Sequence, residues 1–299
     1  MKSLPFIIIS LLLFISCEDA SDVPKNISVL EIDSPEDVLL SISKPIFSSR
    51  SHVRQKVGDN NFYIRVSKQG KAMAVNLETD SVTVYEAKAD GPFSLSYPCF
   101  AVLDENDGAA IFGANEAVRV NKSGEAFSKF TFGNSESEIP APSGYFIPMD
   151  PGYPFPYNEG KIYVNLVREG ADAFSFPFVY EGSAVGEMDI IKRTSRDLNI
   201  PHDHRGVFYG GLHKENIKYF EGKLFVTFEF SPNIYVYSFE EDETEIIEQP
   251  PIFGHVNEPF TGSSDPMAMI QHMNLNMAYG PLLFEEDGEF VYQTLLERV

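Results

Sequence analysis

The chain has 299 residues, 43% of them hydrophobic, with 25 Phe, 14 Tyr and no Trp, which is ample for a large core in one domain. Its 20 Pro and 21 Gly favour many turns over long helices. A formal net charge of −21 repels phosphate backbones, which excludes nucleic acid as a partner, and it disfavours direct electrostatic docking on anionic lipid.

The N-terminus carries Lys2 and then an apolar run over 4–16. That run is shorter than the roughly 20 residues a membrane-spanning helix needs, and it reads as a secretory leader. It ends in Phe14-Ile15-Ser16-Cys17, which resembles a bacterial lipobox with Phe14 where Leu is usual. The resemblance implies cleavage before Cys17 and diacylation of its thiol. Glu18-Asp19 resembles the surface-export signal of Bacteroidota lipoproteins. The alternative is an ordinary signal peptide with an incidental Cys. The expected organisation is a signal peptide over 1–16, a polar tether over 17–25 and a single β domain over 26–299. With Cys17 acylated, Cys99 has no intramolecular partner; it sits in the apolar stretch 97–102 and is expected to be a buried thiol.

Residues 26–32 read as a strand, and Ser34-Pro35 as the cap and first position of a short helical turn. The alternation over 61–67, 71–77 and 81–86 predicts three strands of one antiparallel meander. The segments 100–103, 109–113, 117–120 and 125–132 predict a second set of four, with Asn121-Lys122-Ser123-Gly124 as a hairpin turn. Residues 133–160 are rich in Pro, which argues against a central strand, and they carry Tyr145, Tyr153, Phe155 and Tyr157. Such a loop either packs on the core as a lid or lines a binding face. Residues 161–185 predict two or three more strands, and 186–196 a short helix or a further strand.

The strongest signal is the hairpin over 219–243. Leu224, Val226, Phe228 and Phe230 alternate along one face, and Phe225, Tyr235, Tyr237 and Phe239 occupy the other. Aromatic residues on both faces predict a sheet covered on both sides. Glu240-Glu241-Asp242-Glu243 reads as a solvated turn, with Asp242 neutral to substitution. Over 250–280, Asp265-Pro266 either caps a helix carrying Met267, Met269, Ile270, Met273 and Met277, or precedes an edge strand; the Met stripe reads as core. A last hairpin begins at Gly288.

One unit recurs. Glu221-Gly222-Lys223-Leu224-Phe225-Val226 echoes Glu159-Gly160-Lys161-Ile162-Tyr163-Val164, with looser copies at Gly70, Gly108 and Gly288. Gly at a tight turn into a strand supplies positive φ. The first steps, 108 − 70 = 38 and 160 − 108 = 52 residues, fit one propeller blade each of roughly 40–50 residues, and the later ones, 222 − 160 = 62 and 288 − 222 = 66, need insertions. The fold class is therefore all-β, a β-propeller of four-stranded antiparallel blades, six-bladed or a shortened, incomplete version. Phe228-Glu229-Phe230-Ser231-Pro232-Asn233-Ile234-Tyr235-Val236-Tyr237 and Tyr279-Gly280-Pro281-Leu282-Leu283-Phe284 resemble a Bacteroidota lipoprotein family, a domain of unknown function. That resemblance implies a six-bladed, TolB-like propeller and brings no catalytic motif.

Five of the six His follow residue 200, and Pro201-His202-Asp203-His204-Arg205 is the most suggestive run. In a strand His202 and His204 share a face, and His213, His255 or His272 would be needed as a third metal ligand. Arg205 opposes a cation there, so a solvated loop is the ordinary reading. Asp104-Glu105-Asn106-Asp107-Gly108 fails the calcium-loop pattern, because its Gly comes one place early and Asn115 stands where Glu is needed. No phosphate-binding Gly loop or Gly-x-Ser-x-Gly elbow occurs. The expectation is a lipid-anchored cell-envelope protein of the outer membrane, periplasmic or surface-facing. It would act as a binding or scaffold module without a cofactor. The candidate ligand residues are Tyr145, Tyr153, Tyr157, His202 and His204. The alternatives are a metal-dependent propeller hydrolase or lyase using His202, His204 and His213, and a purely structural envelope protein.

Overall fold

The chain divides into two compact units, Met1–Ile46 and Phe47–Val299. The computed structural model describes residues 49–296 apart from 88–89, 105–107, 149–154, 171–179, 204–208, 210–214, 251–256, 262–264, 274–277 and 285–290. Cys17, the leader, the tether, the 26–32 strand, the helical turn at Ser34, Tyr153, His204, His213, His255 and Gly288 lie outside the described residues.

The first blade is the meander β1 (Ser49–Val57), β2 (Asn60–Ser67), β3 (Lys71–Asn76) and β4 (Val82–Glu86). The second is β5 (Phe100–Asp104), β6 (Gly108–Phe112), β7 (Glu116–Val120) and β8 (Ala126–Thr131). After the short β9 (Tyr145–Phe146) comes the third blade, opened by β10 (Tyr157–Asn158) and β11 (Lys161–Asn165). The chain then leaves it through β12 (Val167–Arg168), which pairs back with β9, and returns as β13 (Val185–Asp189) and β14 (Thr194–Asp197). The fourth blade is β15 (Glu215–Phe220), β16 (Lys223–Phe228), β17 (Ile234–Ser238) and β18 (Glu243–Ile247). Helix α1 (Pro266–Met273) follows, and then a two-stranded sheet of β19 (Ala278–Phe284) and β20 (Val291–Leu296). Among the described residues, four four-stranded antiparallel blades are thus arranged as a β-propeller.

What holds the blades together is burial between neighbouring sheets, on both faces of the second and third blades. The aromatic hairpin is arranged differently from the expectation: Tyr235 and Tyr237 stand opposite Val226 and Leu224 across the strands, so they share the face of Leu224, Val226 and Phe228 and do not lie on the other. Side chains alternate along β5, and the two sets go to different neighbours. Phe100 and Val102, with Phe112 and Phe130, pack against Ile162, Val164, Met188 and Ile190 of the third blade. Ala101 and Leu103, with Ile111 and Val118, pack against Ile64, Val66, Ala72 and Ala74 of the first. The opposite face of the third blade, with Tyr163 and Val185, packs against Leu224, Val226, Phe228, Tyr235 and Tyr237 of the fourth. Fully burying each large side chain contributes about 1.5–3 kcal/mol. Polar groups also join neighbouring blades. Leu103 has its backbone N–H and C=O on the side of β5 away from β6, where no ladder reaches them. The Gln55 amide meets both, accepting from Leu103 N at 2.8 Å and donating to Leu103 O at 2.6 Å.

The recurring Gly turns are real but one was misplaced. Glu159-Gly160 and Glu221-Gly222 each join the first and second strands of a blade, with φ of 47° and 81°, and 47° and 76°. Positive φ at both central residues makes these type I′ hairpins, whose twist matches that of the strands. Gly70 instead lies between β2 and β3, and Gly58-Asp59 holds the equivalent place in the first blade. The 38-residue step is therefore not a blade spacing.

Other elements resolve the alternatives left open by the sequence. The segment 186–196 is the β13–β14 hairpin, not a helix. Asp265 caps α1 by accepting from Met267 N at 3.1 Å, so the helix holds and the edge strand does not. Of its methionines, Met269 is buried while Met267 is 61% exposed, so the stripe is not wholly core. Cys99 is buried, as a small apolar side chain whose thiol faces Tyr97 O.

Candidate functional site

In every blade the link from the previous blade and the turn between its second and third strands fall at one end. At that end of the fourth blade, polar groups are gathered inside an otherwise apolar body. His202 lies on the link between β14 and β15. Its place is set by two contacts just before it: Ala184 N donates to Ile200 O at 2.7 Å, and Pro201 bridges to Ser183. The ring is 4% exposed and is enclosed by Tyr180, edge-on at 5.7 Å, and Phe228 at 5.9 Å. Met269 of α1 packs in the same apolar cluster as Tyr180.

Glu215, the first residue of β15, is 7% exposed. Its Oε1 lies 3.2 Å from His202 Nδ1, near enough for an ion pair but out of line for a hydrogen bond. Neither ring nitrogen of His202 has a hydrogen-bond partner among the described residues. An orphaned buried nitrogen of this kind costs about 1–3 kcal/mol, and one in a folded protein calls for a functional or structural reason.

Asp203 stands beside it, half-buried. Its carboxylate accepts from Tyr235 Oη at 2.5 Å and from Asn233 Nδ2 at 3.4 Å to each oxygen. Asn233 is the last residue of the β16–β17 turn, and its Oδ1 also accepts from Gln249 N, which fixes the amide. Tyr209 packs on Phe230 at 5.3 Å; burial first, and the Asp203 charge second, push its phenol above the ordinary value. The site is therefore a polar cluster in which His202, Glu215, Phe228 and Tyr235 are buried and Asp203, Tyr209 and Asn233 are half-buried.

The other candidates are placed differently. Tyr145 is buried at the same end of the molecule, with its hydroxyl accepting from Ser183 N at 2.9 Å and Arg168 over its ring at 5.4 Å. Through Ser183 and Pro201 it belongs to the scaffold that positions His202. Gly182 has φ +86°, and a Cβ there would strike the Tyr145 hydroxyl. Tyr157 lies just before the Glu159-Gly160 turn, at the opposite end of the third blade, where its hydroxyl donates to Asp104. Burial and then that carboxylate push its phenol up. The Pro-rich loop does pack onto the core, through Phe155 edge-on to Phe100 at 5.5 Å. His272 has Nε2 at 2.7 Å from Glu258 O and packs on Phe260. Among the described residues no three His, Cys, Asp or Glu side chains form a metal-binding group.

A second polar cluster, at the opposite end, is a set of structural pairs. Buried Glu187 sits between Lys161 at 3.1 Å and Arg196 at 3.2 Å. Burial, then the hydrogen bond to Asp242, pushes the Tyr237 phenol up to about 12. Every member of this cluster has a partner, whereas the His202 cluster holds the buried side-chain nitrogens without one among the described residues. Sequence reasoning singled out His202 but not Glu215, Asn233, Tyr235 or Tyr180. The one available signal was Asn233 after Pro232, a turn amide next to aromatic strands.

No described helix is long and apolar enough to cross a membrane. No protein-family model matches the chain. No curated protein matches it either. Among solved structures, a member of the DUF4221 family from Bacteroides vulgatus superposes with a TM-score of 0.62 at 12% identity, over 83% of this chain and 71% of that one. The extracellular domain of BT4673 from B. thetaiotaomicron gives 0.37 at 11% identity, over 83% of this chain and 25% of that one. PorZ, a surface component of the type-IX secretion system of Porphyromonas gingivalis, gives 0.35 at 9% identity, over 70% and 24%. The first of these likenesses is one of fold: the chain has the propeller architecture of that Bacteroides protein.

Proposed function

We propose that this chain is a lipid-anchored cell-envelope propeller that works as a binding module, with its ligand taken at the His202 end of the fourth blade. The observation that carries the reading is His202 itself, a buried imidazole beside Glu215 with neither ring nitrogen hydrogen-bonded among the described residues. A propeller gathers links and turns from several strands at one end, so a site forms there without a catalytic triad. Anchoring rests on Cys17, which follows an apolar run and a small residue; two acyl chains, at about 0.8 kcal/mol per buried CH₂, suffice for stable attachment.

The test has two arms. Cys17→Ala should move the protein to the soluble fraction or stall its processing; normal cleavage with continued membrane fractionation contradicts the anchor. For binding, a small-molecule extract of the producing cell's envelope should raise the Tm of the wild type, by about 2–4 °C for each kcal/mol of linkage. Asp203→Asn should lose that rise. Equal shifts in both proteins, or none in either, contradict the binding site.

A further inference from the structure

One exposed ring is held on a backbone conformation that it does not favour. Tyr97 lies on the link between β4 and β5, where that link meets the β6–β7 turn. Its φ is +51°, which a bulky side chain rarely adopts, and it is 69% exposed, so burial of the ring does not offset the strain. The structure around it is built to hold the link. The Glu116 carboxylate accepts from Ser96 N at 2.5 Å and pairs with Lys129 at 2.8 Å, and the Lys129 ammonium donates to Ser94 O at 2.5 Å. Gly113 of the β6–β7 turn passes so close that a Cβ there would lie 2.5 Å from Ser96 O. On the side of the first blade, Pro98 lies 3.7 Å from where a Cβ of Gly70 would stand, in the β2–β3 turn. Cys99 N then donates to Phe112 O at 2.7 Å, which closes the link onto β6. Residues 94–98 are thus clamped between turns of two blades, and Tyr97 is presented to solvent from them.

The surroundings narrow what the ring meets. Residues 91–98 and the turns 68–70 and 113–115 contain no Asp or Glu, in a chain that has 44 of them. Lys68, Gln69, Ser96, Ala114 and Asn115 are exposed there. Tyr97 is the one exposed large hydrophobic residue of these three segments, too little apolar area for a protein partner, which takes about 800 Å² on each side. The net charge of −21 excludes stacked nucleic-acid bases and repels anionic polysaccharides. An aromatic face flanked by amides suits a ligand with an apolar C–H face and a rim of hydroxyls. We propose that Tyr97 is a stacking platform for a neutral saccharide, with the exposed amides of Gln69 and Asn115 in the flanking turns as partners for its hydroxyls. A ring fixed in advance loses little freedom when the ligand arrives. The platform belongs to the second blade and does not depend on the His202 cluster.

Native gel electrophoresis through soluble dextran, mannan, xylan and laminarin, with alginate as the anionic comparison, tests the proposal. At least one neutral polysaccharide should retard the wild type, and alginate should not. Tyr97→Phe keeps the ring and should be retarded as the wild type is. Tyr97→Gly removes the ring and should bind at least about tenfold more weakly, the size of effect that a stacking ring carries. Because Gly takes a positive φ without strain, the same variant should unfold at a higher urea concentration than the wild type. Weaker binding together with greater stability is a result that a purely structural tyrosine would not give. Equal retardation of the wild type and Tyr97→Gly, retardation by alginate alone, or retardation by none of the neutral polysaccharides overturns the proposal. Loss of binding in Tyr97→Phe places the contact on the hydroxyl and overturns the stacking platform. A Tyr97→Gly protein that unfolds at lower urea than the wild type makes the ring a packing element and overturns it as well.

Discussion

Phe228→Ala is expected to lower stability by roughly 3–5 kcal/mol, a large part of the about 5–15 kcal/mol typical of a domain. Phe228 is fully buried in the interface between the third and fourth blades. Its ring meets Tyr235 edge-on at 5.2 Å and His202 at 5.9 Å, so truncation leaves a cavity between two sheets that are each held by ladders. Collapse to fill it would need a blade to move. The control is Glu240→Ala on the exposed β17–β18 turn, expected within about 0.5 kcal/mol. Asp242, read from sequence as a neutral turn position, does not serve. Its φ is 55°, its carboxylate accepts from Tyr237 Oη, and Arg196 lies 3.4 Å away. Ala at that backbone angle carries strain of its own. Urea melts of the two variants compare them directly, and equal small shifts would mean that β16 is not in a two-sided core.

Gly108→Ala is expected to be of similar size. Gly108 opens β6 at φ +104°, which L residues rarely adopt. A Cβ there would lie inside contact distance of Val120 O, 2.6 Å from Asn121 C and 2.9 Å from Lys122 N. These are backbone atoms of the β7–β8 hairpin and cannot swing aside. Backbone strain of about 1–3 kcal/mol and overpacking of about 1–3 kcal/mol together give roughly 2–6 kcal/mol. Gly222→Ala separates the two causes. Gly222 has φ +76° with nothing near its would-be Cβ, so only the left-handed penalty of about 1–2 kcal/mol applies. Denaturant midpoints with unchanged slopes measure the difference. Equal losses at the two glycines would mean that close approach to β7–β8 contributes nothing.

The fourth blade was legible because its strands alternate strongly and its turn has Pro232. The second blade was legible for the same reason. The first strand of the first blade was not. In β1 the residues between Val53 and Val57 are Arg54, Gln55 and Lys56, a polar pattern that reads as a loop. It is a strand because it pairs along β2, and its Gln55 serves the open edge of β5, a long-range need that local periodicity does not express. Gly70 misled for a related reason: a Gly with positive φ marks a tight turn, but not which turn of the blade. The site was half legible. His202 and Asp203 stood out as a polar run, yet the run was read as metal ligands or a solvated loop. Glu215 joins His202 only because β15 begins beside it, and Asn233 and Tyr235 arrive from the next turn. Tyr145 and Tyr157 looked alike in one Pro-rich loop, and the fold sends them to opposite ends of the third blade.

Native mass spectrometry of the protein released gently from its own envelope, with the wild type beside Asp203→Asn, tests the binding site most directly. The wild type should carry a low-mass adduct, and the variant should carry little or none of it. A wild type that flies bare, or an adduct held equally by both proteins, would contradict a binding site at the His202 end of the fourth blade.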